Sequence, residues 1–324
     1  MHAAHALVLA SLLTATLTTQ AQTTQAQTAQ SQSGDAPPTN AEAAVDTKEP
    51  AQAQFEEAKP KFTISIEPSV WFAGAGGKVK MPGSSGTPAP SSSANAPQAA
   101  ELGDRIKLDQ IGFDDPQATP AGEVNIGYER WRFALRGFGF SIDDNSTVSD
   151  SGSLGEVDFA PGDNLYGEIN ANVFEAQAGY RFFEHAAHPR QNGDGYVVRF
   201  YADGLGGARF YDVDMQFEQF ATLNGTNSFD DTWIEPTLGG KIGVELYEQF
   251  DIDLEVNFGV APFGDHSSWS WDVIAGFQWR PIENVGIQIG YRNLAFNLSD
   301  GDGSDEFEWD GALAGLYFGA VIKF

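Results

Sequence analysis

Between Phe250 and Val260 every second residue is a large apolar one: Phe250, Ile252, Leu254, Val256, Phe258 and Val260. Between them stand Asp251, Asp253, Glu255, Asn257 and Gly259. A side-chain period of two belongs to a strand, whose successive residues point to opposite faces. Six large apolar groups on one face and three carboxylates on the other demand that the two faces meet different solvents. The pattern recurs along the chain. Phe62, Ile64, Ile66, Val70 and Phe72 oppose Thr63, Ser65, Glu67 and Ser69. Val124, Ile126 and Tyr128 alternate with Glu123, Asn125 and Glu129, and Trp131, Phe133 and Leu135 alternate with Arg132, Ala134 and Arg136. Strands with one face in lipid and the other in a polar lumen make a transmembrane β-barrel.

The segment Trp269 to Arg280 supplies a ruler. Trp269, Trp271, Val273, Ala275, Phe277 and Trp279 share one face; Ser270, Asp272, Ile274, Gly276, Gln278 and Arg280 share the other. About ten residues at about 3.3 Å each, tilted by about 40°, project to about 25 Å, the height of a barrel's apolar band. Trp269, Trp271, Phe277 and Trp279 are therefore expected in the membrane girdles, where an aromatic ring meets both hydrocarbon and headgroups.

The final segment, Gly311 to Phe324, alternates in the same way. Ala312, Ala314, Leu316, Phe318, Ala320, Ile322 and Phe324 lie on one face; Gly311, Leu313, Gly315, Tyr317, Gly319, Val321 and Lys323 lie on the other. It resembles the C-terminal strand of Gram-negative outer-membrane proteins, which usually ends in Phe and is read by the insertion machinery. That resemblance implies an insertion signal at Tyr317, Phe318 and Phe324, residence in the outer membrane, and a last strand that pairs with the first. With the girdles and loop asymmetry it makes residues 61–324 similar to small OmpA-like and OmpW-like barrels. These motifs specify location and architecture and say little about activity.

The chain has 324 residues with 36 Gly and no Cys, and no charge-free apolar stretch after residue 20 is long enough for a spanning helix. The net charge of -27 argues against nucleic-acid or anionic-membrane partners, and an acidic outer rim either keeps the loops solvated or meets divalent cations and lipopolysaccharide, with outer-membrane lipid around the wall. Residues 1–21 read as an export signal, with Ala6 to Leu17 as its apolar core but no Lys or Arg before it. Residues 22–60 lack the apolar groups to offset ordering entropy and read as a disordered periplasmic lead-in. A Pro/Ser/Ala/Gly tract at 80–103 reads as a long, disordered outer loop.

The fold class expected is all-β: an antiparallel transmembrane barrel of about ten strands, with eight as the alternative. The segments are 62–73, 121–130, 131–143, 164–183, 195–213, 232–247, 250–262, 267–281, 284–298 and 308–324. Long and short joins alternate, except that 184–194 is long for an inner turn and 263–266 short for an outer loop. In three segments the apolar set changes face: between Val173 and Phe174, between Leu135 and Phe138, and between Tyr291 and Leu294. Each change is either a β-bulge or a strand running on beyond the membrane.

The first candidate site is the lumen. Carboxylates expected to point inward are Glu67, Glu123, Glu168, Glu175, Asp203, Glu235, Glu245, Asp251, Asp253, Glu255 and Asp272. The inward cations are Arg132, Arg136, Arg181, Arg199, Arg209, Lys241, Arg280, Arg292 and Lys323. A three-residue hairpin at 247–249 would set Leu246 opposite Phe250 and Lys241 opposite Glu255. Such a lumen is either a salt-bridged plug or a narrow charged path allowing at most slow passage of small solutes.

A second candidate is the outer rim, where Asp265-His266 with Asp143-Asp144 would resemble the water-activating constellation of omptin proteases. A His266-Ser267 couple for lipid hydrolysis would need both side chains on one face, and adjacent strand residues point to opposite ones. The acidic turn from Asp300 to Glu306 fails the EF-hand pattern, because Asp305 stands where the invariant Gly belongs. His185 and His188 are read as surface residues on an inner turn. No catalytic residue, metal site or cofactor is assigned, and the leading expectation is a non-enzymatic barrel with a structural or surface role.

Overall fold

The computed structural model describes residues 62–83, 105–189, 195–219 and 225–324. The expected signal at 1–21, the lead-in at 22–60 and most of the 80–103 tract lie outside the described residues. In chain order the strands are β1 (Phe62–Lys80), β2 (Ile106–Lys107), β3 (Gln117–Tyr128), β4 (Trp131–Thr147), β5 (Gly152–Leu154), β6 (Val157–Phe159), β7 (Asn164–Pro189), β8 (Tyr196–Gln219), β9 (Thr226–Leu246), β10 (Phe250–Phe263), β11 (His266–Ile282), β12 (Val285–Asp300) and β13 (Phe307–Lys323).

β1, β3, β4 and β7 to β13 form a ring of ten antiparallel strands. The closure is made by β13 on β1, from Ser65 opposite Lys323 to Lys80 opposite Glu308. Phe324 exchanges backbone hydrogen bonds with Ile64 at 2.8 and 3.2 Å. A closed ring leaves no sheet edge, which is what lets strands cross hydrocarbon. β2 pairs with β1 outside the ring, and β5 with β6 makes a hairpin in the loop between β4 and β7.

The turns follow the expected alternation. β9 and β10 join through 247–249, where Tyr247 and Glu248 take φ of 53° and 61°, and Leu246 faces Phe250 while Lys241 faces Glu255. β7 runs on to Pro189, so the inner connection to β8 is shorter than expected. The outer join of β10 and β11 is a tight hairpin through Gly264 (φ 70°) and Asp265.

The changes of apolar face are not bulges. β4 pairs with β7 without interruption from Trp131 opposite Tyr180 to Thr147 opposite Asn164. Arg132, Arg136, Phe138, Phe140 and Ile142 all have the same parity and all point inward. What changes is the surroundings. At the inner end the outer face carries exposed Trp131, Phe133 and Leu135 (61% exposed), whereas beyond Gly137 the buried groups are Phe138, Phe140 and Ile142, all on the inside. β7 inverts likewise, from exposed Phe174 and Phe182 outside to buried Leu165, Ile169 and Val173 inside. The register shift that β7 does have lies lower, between Arg181 and Phe183.

The barrel therefore has two storeys. The lower is apolar outside and charged inside, and stands in the bilayer. The upper is polar outside and apolar inside, and stands in water like an ordinary small domain. Trp71, Phe140, Tyr211, Phe217, Phe296, Phe307 and Trp309 fill its core, each nearly inaccessible. Met81, Leu108 and Phe113 from the β1–β3 loop and Leu154, Val157 and Phe159 from the β5–β6 hairpin complete it. Asn227 Nδ2 ties the loops together by donating to Pro82 O at 2.8 Å and Leu154 O at 3.4 Å.

This boundary makes unequal expectations for two outward positions. Leu254, on the exposed face near the middle of the band, should lose about 2–4 kcal/mol of folding stability in bilayers on Leu254→Arg. Thr232→Arg, at an exposed position of the upper storey, should stay within about 0.5 kcal/mol. Equal effects in vesicle-refolding titrations would remove the two-storey reading.

Candidate functional site

Lumen charges arrange themselves in tiers, because inward positions recur every second residue and neighbouring strands bring opposite signs into register. At the inner end Glu245 receives Arg280 Nη2 at 2.5 Å, Tyr196 Oη at 2.5 Å and the Arg199 guanidinium. Arg181 grips Asp203 with two hydrogen bonds, 2.7 and 3.0 Å, and lies 4.1 Å over the Tyr201 ring. Lys241 sits 3.3 Å from Asp253 and 3.9 Å from Glu255. Arg136 donates to Glu255 at 2.7 Å and approaches Glu123 at 3.4 Å and Glu175 at 3.9 Å.

Arg209 centres the next tier. It is fully buried and reaches Glu175 at 3.2 Å, Asp272 at 3.0 Å, Ser270 Oγ at 2.7 Å and Glu235 at 3.6 Å. Asp272 also takes a fork from Arg292, 2.6 and 3.1 Å. Tyr211 Oη donates to Glu235 at 2.8 Å. Arg292 marks the top of the charged storey, with its other face 4.9 Å from Phe138 and 5.5 Å from Trp71.

Most of the expected network is thus assembled, with several relocations. Glu168 is not a lumen residue: it lies on the outer face of β7, opposite Asp143, because the upper storey is polar outside. Arg132 is inward but is held by the inner turn, donating to Glu129 O at 2.9 Å and Trp131 O at 2.7 Å. Glu67 and Asp251 receive neutral donors: Ser65, Asn125 and Gln278 for the first, Tyr201 for the second. Tyrosines belong to the network as well, a membership that charge alone does not signal: Tyr201 and Tyr211 share the inward parity of Arg199 and Arg209 on β8. Gly243 and Gly290 leave room for the rings of Tyr201 and Tyr317, which a Cβ would strike.

On the lipid side, Trp269, Trp271, Phe277 and Trp279 are all exposed, as are Phe318 and Phe324. Tyr317 points inward and packs against the core.

The outer rim differs from the expected constellation. Asp143 and Asp144 pair across to Glu168 and Gly167, whereas His266 meets Asp300 at 3.1 Å and Asp231 at 3.3 Å. Ser267 Oγ lies 2.8 Å from Ser299 Oγ. The acidic turn is matched by cations from the end of β1 and the loop after it: Lys80 Nζ donates to Glu306 at 2.8 Å and Gly303 O at 2.7 Å, and Arg105 pairs with Glu308. His185 is exposed on β7, and the His188 side chain lies outside the described residues.

The outer face above the band gathers carboxylates side by side, with Asp143 opposite Glu168 and Asp214 opposite Asp230. Partial burial, Glu168, Asp230 and Asp212 push the Asp214 carboxyl above its ordinary range.

No protein-family model and no curated protein matches the chain. Among solved structures it is similar to Neisserial surface protein A, at 14% identity and a TM-score of 0.28, covering 82% of this chain and 98% of that one. It is similar to Ail, the attachment invasion locus protein of Yersinia pestis, at 12% and 0.31, covering 82% and 100%. It is also similar to the outer-membrane protease OmpT of Escherichia coli, at 11% and 0.37, covering 81% and 97%. At such values the likeness carries no functional argument. The architecture of an outer-membrane β-barrel rests on the closed ring and its apolar band.

Proposed function

We propose that the protein is a non-conducting barrel of the Gram-negative outer membrane with a structural or surface role, passing small solutes slowly at most. One observation carries this reading: side chains from opposite walls meet across the lumen at successive heights. Arg136 of β4 bonds Glu255 of β10 at 2.7 Å, Arg292 of β12 lies 4.9 Å over Phe138 of β4, and Tyr211 of β8 meets Phe296 of β12 at 6.0 Å. An ion entering from outside meets the apolar core before the charged storey, and desolvating it there costs far more than any site on the path returns. The rigid, sealed cylinder then serves to hold the acidic upper storey at the membrane surface, where divalent cations would link its carboxylates to lipopolysaccharide phosphates.

Planar-bilayer recording tests the seal. Protein whose folding is verified by heat-dependent gel mobility should give no stepwise openings above the lipid baseline. Reproducible unitary steps from such a preparation would overturn the reading in favour of a channel.

A further inference from the structure

The ring is not equally laced at all heights. β9 pairs with β10 from Leu246 opposite Phe250 up to Thr237 opposite Gly259. Pro236 follows next on β9, and Pro262 stands near the upper end of β10; neither has an N–H to give a ladder. Above that level β9 continues to Thr226 alongside β8, while β10 continues to Phe263 alongside β11. A seam opens in the wall of the upper storey, outside the bilayer, and side chains of β9, β11 and β12 meet across it.

Three of them converge. The ligand atoms of Asp231 on β9, His266 on β11 and Asp300 on β12 lie within 4.8 Å of one another. His266 Nδ1 is 3.1 Å from Asp300 Oδ1 and 3.3 Å from Asp231 Oδ2. The Trp233 ring stacks on the imidazole at 5.3 Å and 3°, and its indole N–H is anchored on Ser299 O at 3.2 Å, so the ring plane is fixed. A ring nitrogen holds one proton at most and can donate to one carboxylate; here it faces two.

We propose that Asp231, His266 and Asp300 bind a divalent transition-metal ion, represented by Zn²⁺, which clasps β9 to β11 and β12 across the seam. Metal–ligand bonds of about 2.0–2.1 Å in tetrahedral array set neighbouring donors about 3.3 Å apart; His266 keeps 3.1 and 3.3 Å from the two carboxylates, whose oxygens lie within 4.8 Å of each other and would draw in on the ion. One imidazole and two carboxylates leave a fourth position for water. Ca²⁺ is the poorer match, since it takes six to eight oxygen ligands at longer range and has no use for the nitrogen. The donors are about one-third exposed, so an ion has access from the outer side.

The test is calorimetric titration of the full chain, folded in detergent, with ZnCl₂ and separately with CaCl₂. We expect one saturable Zn²⁺ event per chain that excess Ca²⁺ does not displace. It should weaken by at least about 10–100-fold in His266→Ala and in Asp300→Asn, since losing even an outer-shell partner costs that much. Co²⁺ gives a second readout, a visible ligand-field band present in the parent chain and absent from His266→Ala. Should His266→Ala fail to show the folded gel mobility, Asp231→Asn takes its place. Equal Zn²⁺ affinity in parent and variants, or full displacement by Ca²⁺, would assign the binding to scattered surface carboxylates and overturn the proposal.

Discussion

Replacing Arg209 with Met should be the most damaging single change in the charged storey, lowering the unfolding free energy in vesicles by about 3–5 kcal/mol. The guanidinium is fully buried, and it is the shared partner of Glu175 and Asp272, with Glu235 beside it. Met fills a similar volume, so the loss is not one of packing. Its cause is that Glu175 and Glu235 lose their nearest counter-charge in a low-dielectric interior, while Asp272 is left with Arg292 alone. Glu175 retains Arg136 at 3.9 Å, too far to replace a contact at 3.2 Å. Adding Glu175→Gln to Arg209→Met should restore part of the stability, with a coupling above about 0.5 kcal/mol in a double-mutant cycle. Urea titrations in vesicles measure both. A loss under about 1 kcal/mol for Arg209→Met would mean that water enters the lumen and solvates these carboxylates, which would also undermine the sealed-barrel reading.

The second large effect belongs to the apolar storey. Trp309→Ala should cost about 3–5 kcal/mol, the range for removing a large aromatic from a closed core. Trp309 is fully buried and packs edge-on against Phe296 at 4.7 Å between ring centres. Its neighbour Phe307 stacks on Phe229 at 3.8 Å, so the upper part of β9 is joined here to β13 across the barrel mouth. A cavity at this point loosens the contacts by which the mouth is closed. The same urea titration reads the loss; a cost near that of an exposed substitution would show that this region is not a packed core.

The facing of each strand was legible because the lower storey meets two solvents of opposite polarity, and a period of two records that contrast residue by residue. Lys241 opposite Glu255 followed from a hairpin length alone, and the structure places them so. The inversion near Phe138 and Val173 could be seen but not explained, because a bulge and a change of surroundings leave the same mark on one strand. Choosing between them needs the neighbour's register, and β4 and β7 stay in step through the whole region. Glu168 was misplaced for that reason: its parity was followed correctly only if the membrane continued, and it does not. The rim site was illegible for a different reason. Asp231, His266 and Asp300 come from three strands, and no spacing along the chain registers their meeting.

Local alternation, the aromatic girdles and the closing strand determined by themselves that the chain forms a ring of strands with a charged interior. Those features depend on each residue's own preference for lipid or water. Tertiary structure decided which interior groups meet. Only the ring brings Arg136 to Glu255 and Tyr211 to Phe296 from opposite walls, and only the unequal strand lengths raise an apolar storey above the membrane and open a seam beside His266. Cross-lumen contacts join residues far apart in sequence, so their energies leave no periodic trace in it.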